Sequence, residues 1–219
     1  MDEIRGRLAA FDSERLDPFG RRQAAVAMVL RDSAVGPEVL FIERARREGD
    51  PWSGHMAFPG GRVEPQDPHA RAAAERETAE EVGLSLLEAS HLSHLGDVLG
   101  NPRVQSDLLI SAHAYEVPAG EIPLSLEQAE VADAFWFPLA DLHDPSRHVH
   151  FTMPGRSRGP YPGIEVGVPD RHVVWGLTYR FLDIFFEALG KPLPDRWGDL
   201  RAEATGRKGR GGSGGGSRR

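Results

Sequence analysis

The sequence predicts an α/β fold in which a mixed β-sheet lies between helices. Three observations predict it: apolar runs of strand length recur along the chain, an interior segment is rich in alanine and charge, and an amphipathic segment lies near the end. Several strands combined with two strong helices are typical of a sheet that is covered on both faces. The 219 residues, of which 40% are hydrophobic, suffice for one large domain with a sizeable core.

The part of the chain before the interior helix predicts a helical segment and three strands. Residues 24–30 form a continuous apolar run with the length of a buried strand. A second strand follows the turn signal Gly36-Pro37. The elements expected here are a helical segment within 1–20, strands over 24–30, 38–43 and 55–58, and a polar loop over 44–54.

The clearest helix is predicted over residues 68–82. Asp67 is a good N-cap, and Pro68 suits the first helical position because its missing N–H costs nothing there. The segment that follows consists mostly of alanine and charged residues, which are compatible with a helix. Gly83 is placed to end the helix.

The second half predicts further strands, a terminal helix and a tail. The expected elements are strands over 94–99, 108–117 and 134–137, a short hairpin around 164–168, and a helix over 174–189 that Gly190 caps and Pro192 stops. Residues 206–219 are rich in glycine and arginine and should be disordered. The predicted organisation is an N-terminal helical segment (1–20), one domain (21–190), a C-terminal extension (191–205) and the tail (206–219).

Composition excludes several classes of function. The chain has no cysteine, which removes disulfides, thiol nucleophiles and thiolate metal sites. It shows neither a secretory signal nor an apolar run of spanning length, so a cytoplasmic protein without a membrane partner is expected. The tail 206–219 carries five basic residues, and the net charge of −7 therefore conceals a more acidic body. Such a body does not resemble a duplex-DNA binder, and no stable nucleic-acid partner is expected.

Three glutamates of the interior helix share one face. Glu77, Glu80 and Glu81 lie at i, i+3 and i+4. Like charges at this spacing destabilise a helix by about a few tenths of a kcal/mol, so a compensating partner is expected. A hard divalent cation and the neighbouring Arg76 are the two candidates, and a solvated acidic face is the bland alternative. Because Mg²⁺ prefers one or two carboxylates together with substrate phosphates, a cation here would indicate metal-assisted phosphoryl chemistry.

A Gly-Gly pair precedes this helix. Gly60 and Gly61 follow a predicted strand, and glycine allows both a positive φ and a close approach of the backbone to an anion. A glycine pair alone is most often a simple turn. A glycine pair beside a carboxylate helix is a candidate for holding substrate phosphate near a metal.

The residues around this helix resemble a known family. Gly61 followed by residues 76–84 (RETAEEVGL) is similar to the Nudix box, with Thr78 in a position that is usually aliphatic. Asp67 stands at the box's early glutamate position, one residue further from Arg76 than usual. This longer spacing resembles the coenzyme A diphosphatase branch of the family.

Two further segments are similar to that branch. Residues 54–61, with Arg44-Ala45 before them, resemble its upstream signature, and residues 174–180 (VWGLTYR) resemble a segment near its end. The resemblance covers roughly residues 21–190 and implies a Nudix-type α/β/α sandwich.

The resemblance implies roles for individual residues. Metal ligands would be Glu77 and Glu81, with Glu80 as a further ligand or as a carboxylate that orients water. Arg76 would hold Glu77 by a charge-assisted hydrogen bond. The implied catalytic set is Arg76, Glu77, Glu80 and Glu130, the implied metal ligands are Glu77, Glu80 and Glu81, and the implied substrate-binding residues are Arg44, Gly60 and Gly61. Glu130 is chosen because it precedes a predicted strand, as a downstream carboxylate does in relatives, and a plain surface carboxylate is its alternative.

The resemblance also implies an activity. It would be Mg²⁺- or Mn²⁺-dependent hydrolysis of the diphosphate bond in a nucleoside diphosphate derivative. The expected substrate is coenzyme A or acyl-coenzyme A, and the expected products are 3′,5′-ADP and (acyl)phosphopantetheine. Alternatives are ADP-ribose, dinucleotides or nucleoside triphosphates as substrates, and a non-catalytic Nudix-fold ligand-binding or regulatory protein. A small-molecule nucleotide is thus the expected partner, and a homodimer is a further expectation.

Aromatic and histidine side chains outside this segment support weaker hypotheses. His55 could reach a phosphate, although a structural role is favoured. His148 and His150 alternate on a predicted strand, with no obvious third metal ligand. Trp175 and the phenylalanines that follow it fit a core better than a platform for stacking a base.

Overall fold

The computed structural model describes residues 1–49, 52–100, 107–152 and 160–194. The helices are α1 (Asp2–Ala9), α2 (Ala70–Val82) and α3 (Gly176–Ala188). The strands are β1 (Arg22–Ser33), β2 (Gly36–Arg44), β3 (Met56–Ala57), β4 (Gly60–Arg62), β5 (Ser90–Leu99), β6 (Leu108–Glu116), β7 (Val131–Pro138), β8 (His148–Phe151), β9 (Tyr161–Glu165) and β10 (Val173–Trp175). Two 3₁₀ turns, Leu139–His143 and Pro145–Arg147, connect β7 to β8. The predicted disordered tail, 206–219, lies outside the described residues.

Among the described residues, the strands form two sheets. The larger sheet has seven strands in the order β3-β2-β1-β6-β5, with β4 also pairing with β1 and β7 with β2. The pairing of β1 with β6 is parallel and the other pairings in this sheet are antiparallel, so the predicted mixed sheet is confirmed. The smaller sheet is antiparallel, in the order β10-β9-β8.

The apolar strand β1 lies inside the large sheet because both of its faces are covered. Alternate side chains of a strand point to opposite faces. Ala25 and Ala27 belong to the core cluster beneath α2, whereas Met28 and Leu30 belong to the cluster beneath α1 and α3. Helices therefore cover both faces of the sheet, and the predicted α/β/α sandwich is confirmed.

Small residues allow α2 to lie close to the sheet. Ala73, Ala74, Thr78 and Val82 are buried on one side of the helix. The Thr78 hydroxyl, which is fully buried, donates to the Ala74 carbonyl at 2.7 Å. With this side against β1, the glutamates of the adjacent side lie at the edge of the helix–sheet contact rather than far out in solvent.

The structure corrects the predicted N-cap of α2 and excludes the simple-turn alternative for the glycine pair. The helix begins at Ala70 and its N-cap is His69, whose ring accepts a hydrogen bond from the Ala72 N–H at 3.0 Å. Asp67, the predicted N-cap, instead accepts from the Glu64 N–H and from Arg76. The glycine pair is also not a simple turn, because Gly60 and Gly61 lie in β4, opposite Val26 and Ala25 of β1.

The terminal helix also begins later than predicted. Val173–Trp175 form β10 and pair with β9, and α3 starts at Gly176, whose φ of +67° separates strand from helix. The predicted hairpin is present but shifted, since β9 and β10 pair Glu165 with Val173. Apolar residues alone did not distinguish the end of a buried strand from the start of a buried helix. No helix in the described parts of the chain is long and apolar enough to cross a membrane.

Candidate active site

Three carboxylates converge at the edge of α2. Glu77, Glu81 and Glu130 each offer an oxygen within 4.8 Å of the other two. Glu77 and Glu81 lie one turn apart on the helix, whereas Glu130 lies in the turn before β7. Exposure falls along the set, from 43% for the Glu130 side chain to 14% for Glu77 and 2% for Glu81, so the group reaches from solvent into the protein.

Backbone hydrogen bonds hold Glu130 next to the helix. The Glu127 N–H donates to the Glu81 carbonyl at 2.9 Å, which attaches this turn to the last turn of α2. The Glu130 N–H then donates to the Glu127 carbonyl at 2.8 Å, and the Glu130 carbonyl accepts from the Ala45 N–H at 2.8 Å. The Glu130 N–H is thus bonded to a turn that is attached to α2, and its carbonyl is bonded to a residue that is distant in sequence.

The glycine pair makes room for the other two carboxylates. The Gly60 N–H donates to Glu81 Oε2 at 2.9 Å. Gly60 has a φ of +148°, and a side chain there would collide with the β1 backbone at Ala25. A side chain at Gly61 would overlap the Glu77 carboxylate. Gly60 therefore binds the Glu81 carboxylate, and Gly61 leaves space for the Glu77 carboxylate. The expected contact of the pair with a substrate diphosphate stays a prediction.

Arg76 connects the helix to the chain that precedes it. Its Nη1 donates to Glu77 Oε1 at 3.0 Å and to Glu80 Oε2 at 2.9 Å. Its other nitrogens donate to the two oxygens of Asp67, at 3.1 and 3.0 Å, and to the Arg62 carbonyl. The Arg76 hydrogen bonds hold the pKa of Asp67 below its ordinary value. The predicted bond from Arg76 to Glu77 is present, and the anchoring role of Asp67 was missed because its position suggested an N-cap.

Glu80 differs from its two neighbours on the helix. Its side chain is 57% exposed, is paired with Arg76, and lies outside the group of three. Among the described residues, the structure therefore brings Glu130 rather than Glu80 together with Glu77 and Glu81. A metal-ligating role for Glu80 stays a prediction.

Burial, together with the neighbouring negative charges, raises the pKa values of the buried members of the group. Burial raises the pKa of Glu81 to about 8, and the negative charges of Glu77 and Glu130 act in the same direction. The Gly60 N–H and the charge of Arg44 oppose this rise only in part. Burial likewise raises the pKa of Glu77, against the opposing effect of Arg76. Carboxylates with raised pKa values are typical of a site that binds a cation or transfers protons.

Two arginines approach the group, Arg44 from the end of β2 and Arg47 from the loop that follows it. Arg44 lies close enough for its charge to lower the pKa of Glu81. Arg47 donates to the Ala129 carbonyl, at 2.9 and 2.6 Å, and to Glu130 Oε1 at 3.1 Å. Arg44 was predicted to bind substrate, and that role stays a prediction. Arg47 was missed, since nothing in its spacing distinguishes it from the other arginines of this loop.

The described residues contain a second group of potential ligands. It lies on the face of the large sheet that is opposite α2. Glu43, Asp133 and His172 also have ligand atoms within 4.8 Å of one another. Glu43 is already paired with Arg171, which donates from Nε and Nη2 at 3.1 and 2.6 Å. The Val168 N–H donates to His172 Nδ1 at 3.1 Å, so a neutral ring carries its proton on Nε2, the atom that faces Glu43 at 3.5 Å. This arrangement is an ion-pair network with no lone pair of the imidazole available for a metal.

The predicted histidine pair is not brought together with other ligands. His148 Nε2 lies 2.9 Å from the Leu142 carbonyl. Neither His148 nor His150 belongs to a group of potential ligands in the described parts of the chain.

Comparisons with known proteins identify the family to which the chain is similar. A model of the NUDIX domain matches residues 21–153. The chain is 32% identical over 157 residues to a Homo sapiens protein named mitochondrial coenzyme A diphosphatase NUDT8, covering 71% of this chain and 64% of that protein. It is 29% identical over 169 residues to a probable nudix hydrolase of Schizosaccharomyces pombe, covering 77% of this chain and 56% of that one.

An uncharacterised protein of Schizosaccharomyces pombe is 40% identical over 113 residues, which are 48% of this chain and 33% of that one. The chain therefore spans between about a third and two thirds of the length of these relatives. Solved structures similar to this chain include a Nitrosomonas europaea NUDIX hydrolase, with a TM-score of 0.47, 15% identity and coverage of 80% of this chain and 93% of that one. An Ap4A hydrolase complex of C. elegans has a TM-score of 0.46, 19% identity and coverage of 56% and 84%.

Proposed function

Because the chain belongs to the NUDIX domain family, we propose that it is a divalent-metal-dependent hydrolase that cleaves the diphosphate bond of a nucleoside diphosphate derivative. The observation that carries this proposal is the group formed by Glu77, Glu81 and Glu130. Carboxylate oxygens are the ligands that Mg²⁺ and Mn²⁺ prefer. Burial is the main cause of the raised pKa values of Glu77 and Glu81, and the neighbouring hydrogen-bond donors and cations offset it only in part, so a bound cation would stabilise both carboxylates in their charged form.

The residues of the site would divide the work between them. Glu77, Glu81 and Glu130 would hold the cation, which supplies charge neutralisation at the phosphoryl oxygens and a more acidic bound water. Arg76 would keep the Glu77 carboxylate in place, and the Gly60 N–H would do the same for Glu81. We assign Glu80 the second of its two expected roles, orienting water, since its carboxylate is exposed and lies outside the group of three.

For the substrate, we propose coenzyme A or acyl-coenzyme A, cleaved to 3′,5′-ADP and (acyl)phosphopantetheine. Support comes from the branch-like spacing between Asp67 and Arg76 and from the relative that is named a coenzyme A diphosphatase. ADP-ribose, dinucleotides and nucleoside triphosphates are the competing substrates. A cytoplasmic location, a homodimer and the division of the chain into four segments stay predictions.

The test is a substrate panel on the full chain with Mg²⁺ and, separately, with Mn²⁺. The panel contains coenzyme A, an acyl-coenzyme A, ADP-ribose, NADH and nucleoside triphosphates, and mass spectrometry identifies the products. Glu81→Gln is the inactive variant, and Glu88→Gln is its matched control because Glu88 is an exposed glutamate outside the group. Equal rates for Glu81→Gln and the parent would contradict the role of the carboxylates. Binding of nucleotides without any hydrolysis would identify a non-catalytic member of the family.

A further inference from the structure

Five aromatic rings form a continuous cluster beside the β2–β3 edge of the large sheet. We call this cluster the aromatic wall; its members are Trp52, His55, Phe151, Tyr161 and Trp175. Trp175 is central to it, since its ring lies 4.5 Å from Phe151, 5.0 Å from His55, 5.5 Å from Tyr161 and 6.2 Å from Trp52, measured between centroids. The wall joins the loop before β3 to the three strands of the small sheet.

The wall is more exposed than packing alone requires. Trp175 is 8% exposed and serves as its buried base, whereas Trp52 is 45% exposed. Large apolar side chains gain most from full burial, so an indole that retains this exposure while it contacts two other rings of the wall is unusual for a core. An exposed indole backed by a rigid aromatic cluster is a suitable surface for another flat ring.

The wall adjoins the end of β2, where Arg44 lies. Arg44, whose charge acts on Glu81, donates its backbone N–H to the carbonyl of His55 at 3.1 Å and accepts at its own carbonyl from the Gly54 N–H at 3.0 Å. The wall therefore begins one hydrogen-bonded step from an arginine of the active site. The side chain of Arg46 packs against Gly54 between Trp52 and His55.

This order of groups matches the chemistry of a nucleotide. A nucleoside diphosphate carries a flat aromatic base, one sugar, and then anionic phosphates. The molecule offers aromatic rings, then arginines, and then carboxylates that fit a divalent cation. Stacking of a base on an aromatic side chain is worth about 1–3 kcal/mol and tolerates different bases, because every base has a π-face.

We propose that the aromatic wall binds the nucleobase of the substrate, with Trp52 as the ring on which the base stacks. This inference rests on the proposed function, because it assigns the substrate's base to a surface adjoining that same site. It also extends one expectation from the sequence. Trp175 is buried, as favoured, but it supports a stacking surface, and His55 is a further member of the wall.

The first experiment measures binding without hydrolysis. AMP and ribose 5-phosphate are titrated into the full chain by calorimetry, so that the two ligands differ only in the base. The parent protein should bind AMP more tightly than ribose 5-phosphate. Trp52→Ala should weaken AMP binding about 5- to 150-fold and leave ribose 5-phosphate unchanged, and Trp52→Phe should recover most of the loss.

A matched control checks that the effect belongs to the wall. Phe19 is 90% exposed and lies outside the wall, so Phe19→Ala removes an exposed ring elsewhere and should bind AMP like the parent. The Trp52→Ala protein should also retain its thermal midpoint, because the side chain is half exposed. Equal AMP affinity of Trp52→Ala and the parent would overturn the proposal. So would binding of pantetheine, rather than AMP, that depends on Trp52.

The second experiment separates this proposal from the proposed hydrolysis. Steady-state kinetics on the best substrate of the panel should show the loss in Trp52→Ala mainly as an increase in KM. Hydrolysis with an unchanged KM in Trp52→Ala would overturn the base site and leave the hydrolase intact. Trp52-dependent AMP binding in a chain that hydrolyses no diphosphate would do the reverse.

Discussion

Two acidic groups of three residues each lie on opposite faces of the large sheet and differ in electrostatic character. On one face, Glu43 lies against Arg171 and His172, which together with hydrogen bonding hold its pKa below the ordinary value although burial alone would raise it. On the other face, burial and neighbouring carboxylates raise the pKa of Glu81 to about 8. In both groups the potential ligand atoms lie within 4.8 Å of one another. The comparison teaches that proximity of ligand atoms is insufficient, and that a group whose charge is already neutralised by the protein gains little from a cation.

The largest expected effect is on activity. Glu81→Gln should lower kcat by more than about 100-fold, because even removal of a residue that only orients a metal ligand costs about 10- to 100-fold. Glu43→Gln, the matching change on the other face, should leave kcat within about twofold of the parent, since Glu43 lies outside the proposed site. Steady-state hydrolysis with Mg²⁺ measures both variants. A comparable loss in Glu43→Gln would show that the second group takes part in the reaction.

The pH dependence of stability should have opposite signs for the two groups. Because folding raises the pKa of Glu81, the folded protein binds this proton more tightly than the unfolded chain. Without metal, its contribution to the free energy of unfolding should be present below the ordinary value near 4.5 and be lost as the pH rises to about 8. The loss is on the order of a few kcal/mol. Glu43 should behave in the reverse way, with a contribution that is lost only as acid protonates it.

Thermal unfolding of the metal-free protein across this pH range measures the difference. Glu81→Gln should raise the midpoint near pH 8 and flatten its dependence on pH, whereas Glu43→Gln should lower the midpoint near pH 8 and leave that dependence in place. Addition of Mn²⁺ should stabilise the parent most at high pH, where Glu81 is deprotonated. A midpoint of Glu81→Gln that follows the parent at every pH would contradict the raised pKa.

The sequence predicts part of the active-site carboxylate group but not the group around Glu43. Glu77 and Glu81 are neighbours because of helical periodicity, which is a local property of the chain. The bond between Glu43 and Arg171 joins residues 128 positions apart, and no local pattern marks such a contact. Glu130 lies between these cases: resemblance to relatives suggested it, but its place beside Glu81 depends on the turn that bonds to the end of α2.

The same distinction accounts for the fold. Strands with continuous apolar runs, such as β1, and the alanine-rich α2 were predicted because propensity and pattern agree there. The predicted start of α3 was wrong because residues 174 and 175 are apolar, which suits both a buried strand and a buried helix. Only their pairing with β9 shows that they belong to a strand. The N-cap of α2 was wrong because Asp67 is held by Arg76, a tertiary ion pair that outweighs the local preference for capping.

A smaller effect is expected on stability from the ion pair on the Glu43 face. Arg171→Ala leaves the buried Glu43 carboxylate without its main partner. It should lower the free energy of unfolding, though by less than the loss of a fully buried ion pair, since the arginine side chain is itself half exposed. Denaturant unfolding at neutral pH measures this. The double variant with Glu43→Gln should recover part of the loss, because the uncompensated charge is then gone. Additive losses in the double variant would show that the two side chains do not interact.

The smallest expected effect concerns Arg47, which donates to Glu130 Oε1 from the loop after β2. Its two hydrogen bonds to the Ala129 carbonyl fix the turn that carries Glu130, while its charge beside Glu130 competes with a cation. The guanidinium is half exposed, so its charge is screened and its positioning effect should dominate. Arg47→Ala should therefore weaken Mn²⁺ binding by about 2- to 5-fold in a titration followed by electron paramagnetic resonance, a change smaller than the usual range for residues that orient metal ligands.

Arg46→Ala is the matched control, because that side chain packs on Gly54 instead of Glu130. Tighter Mn²⁺ binding in Arg47→Ala would mean that competition between the Arg47 charge and the cation outweighs the positioning of Glu130. Arg47 would then partly neutralise the active-site group, as Arg171 neutralises Glu43, and the two acidic groups would differ less than their pKa values suggest.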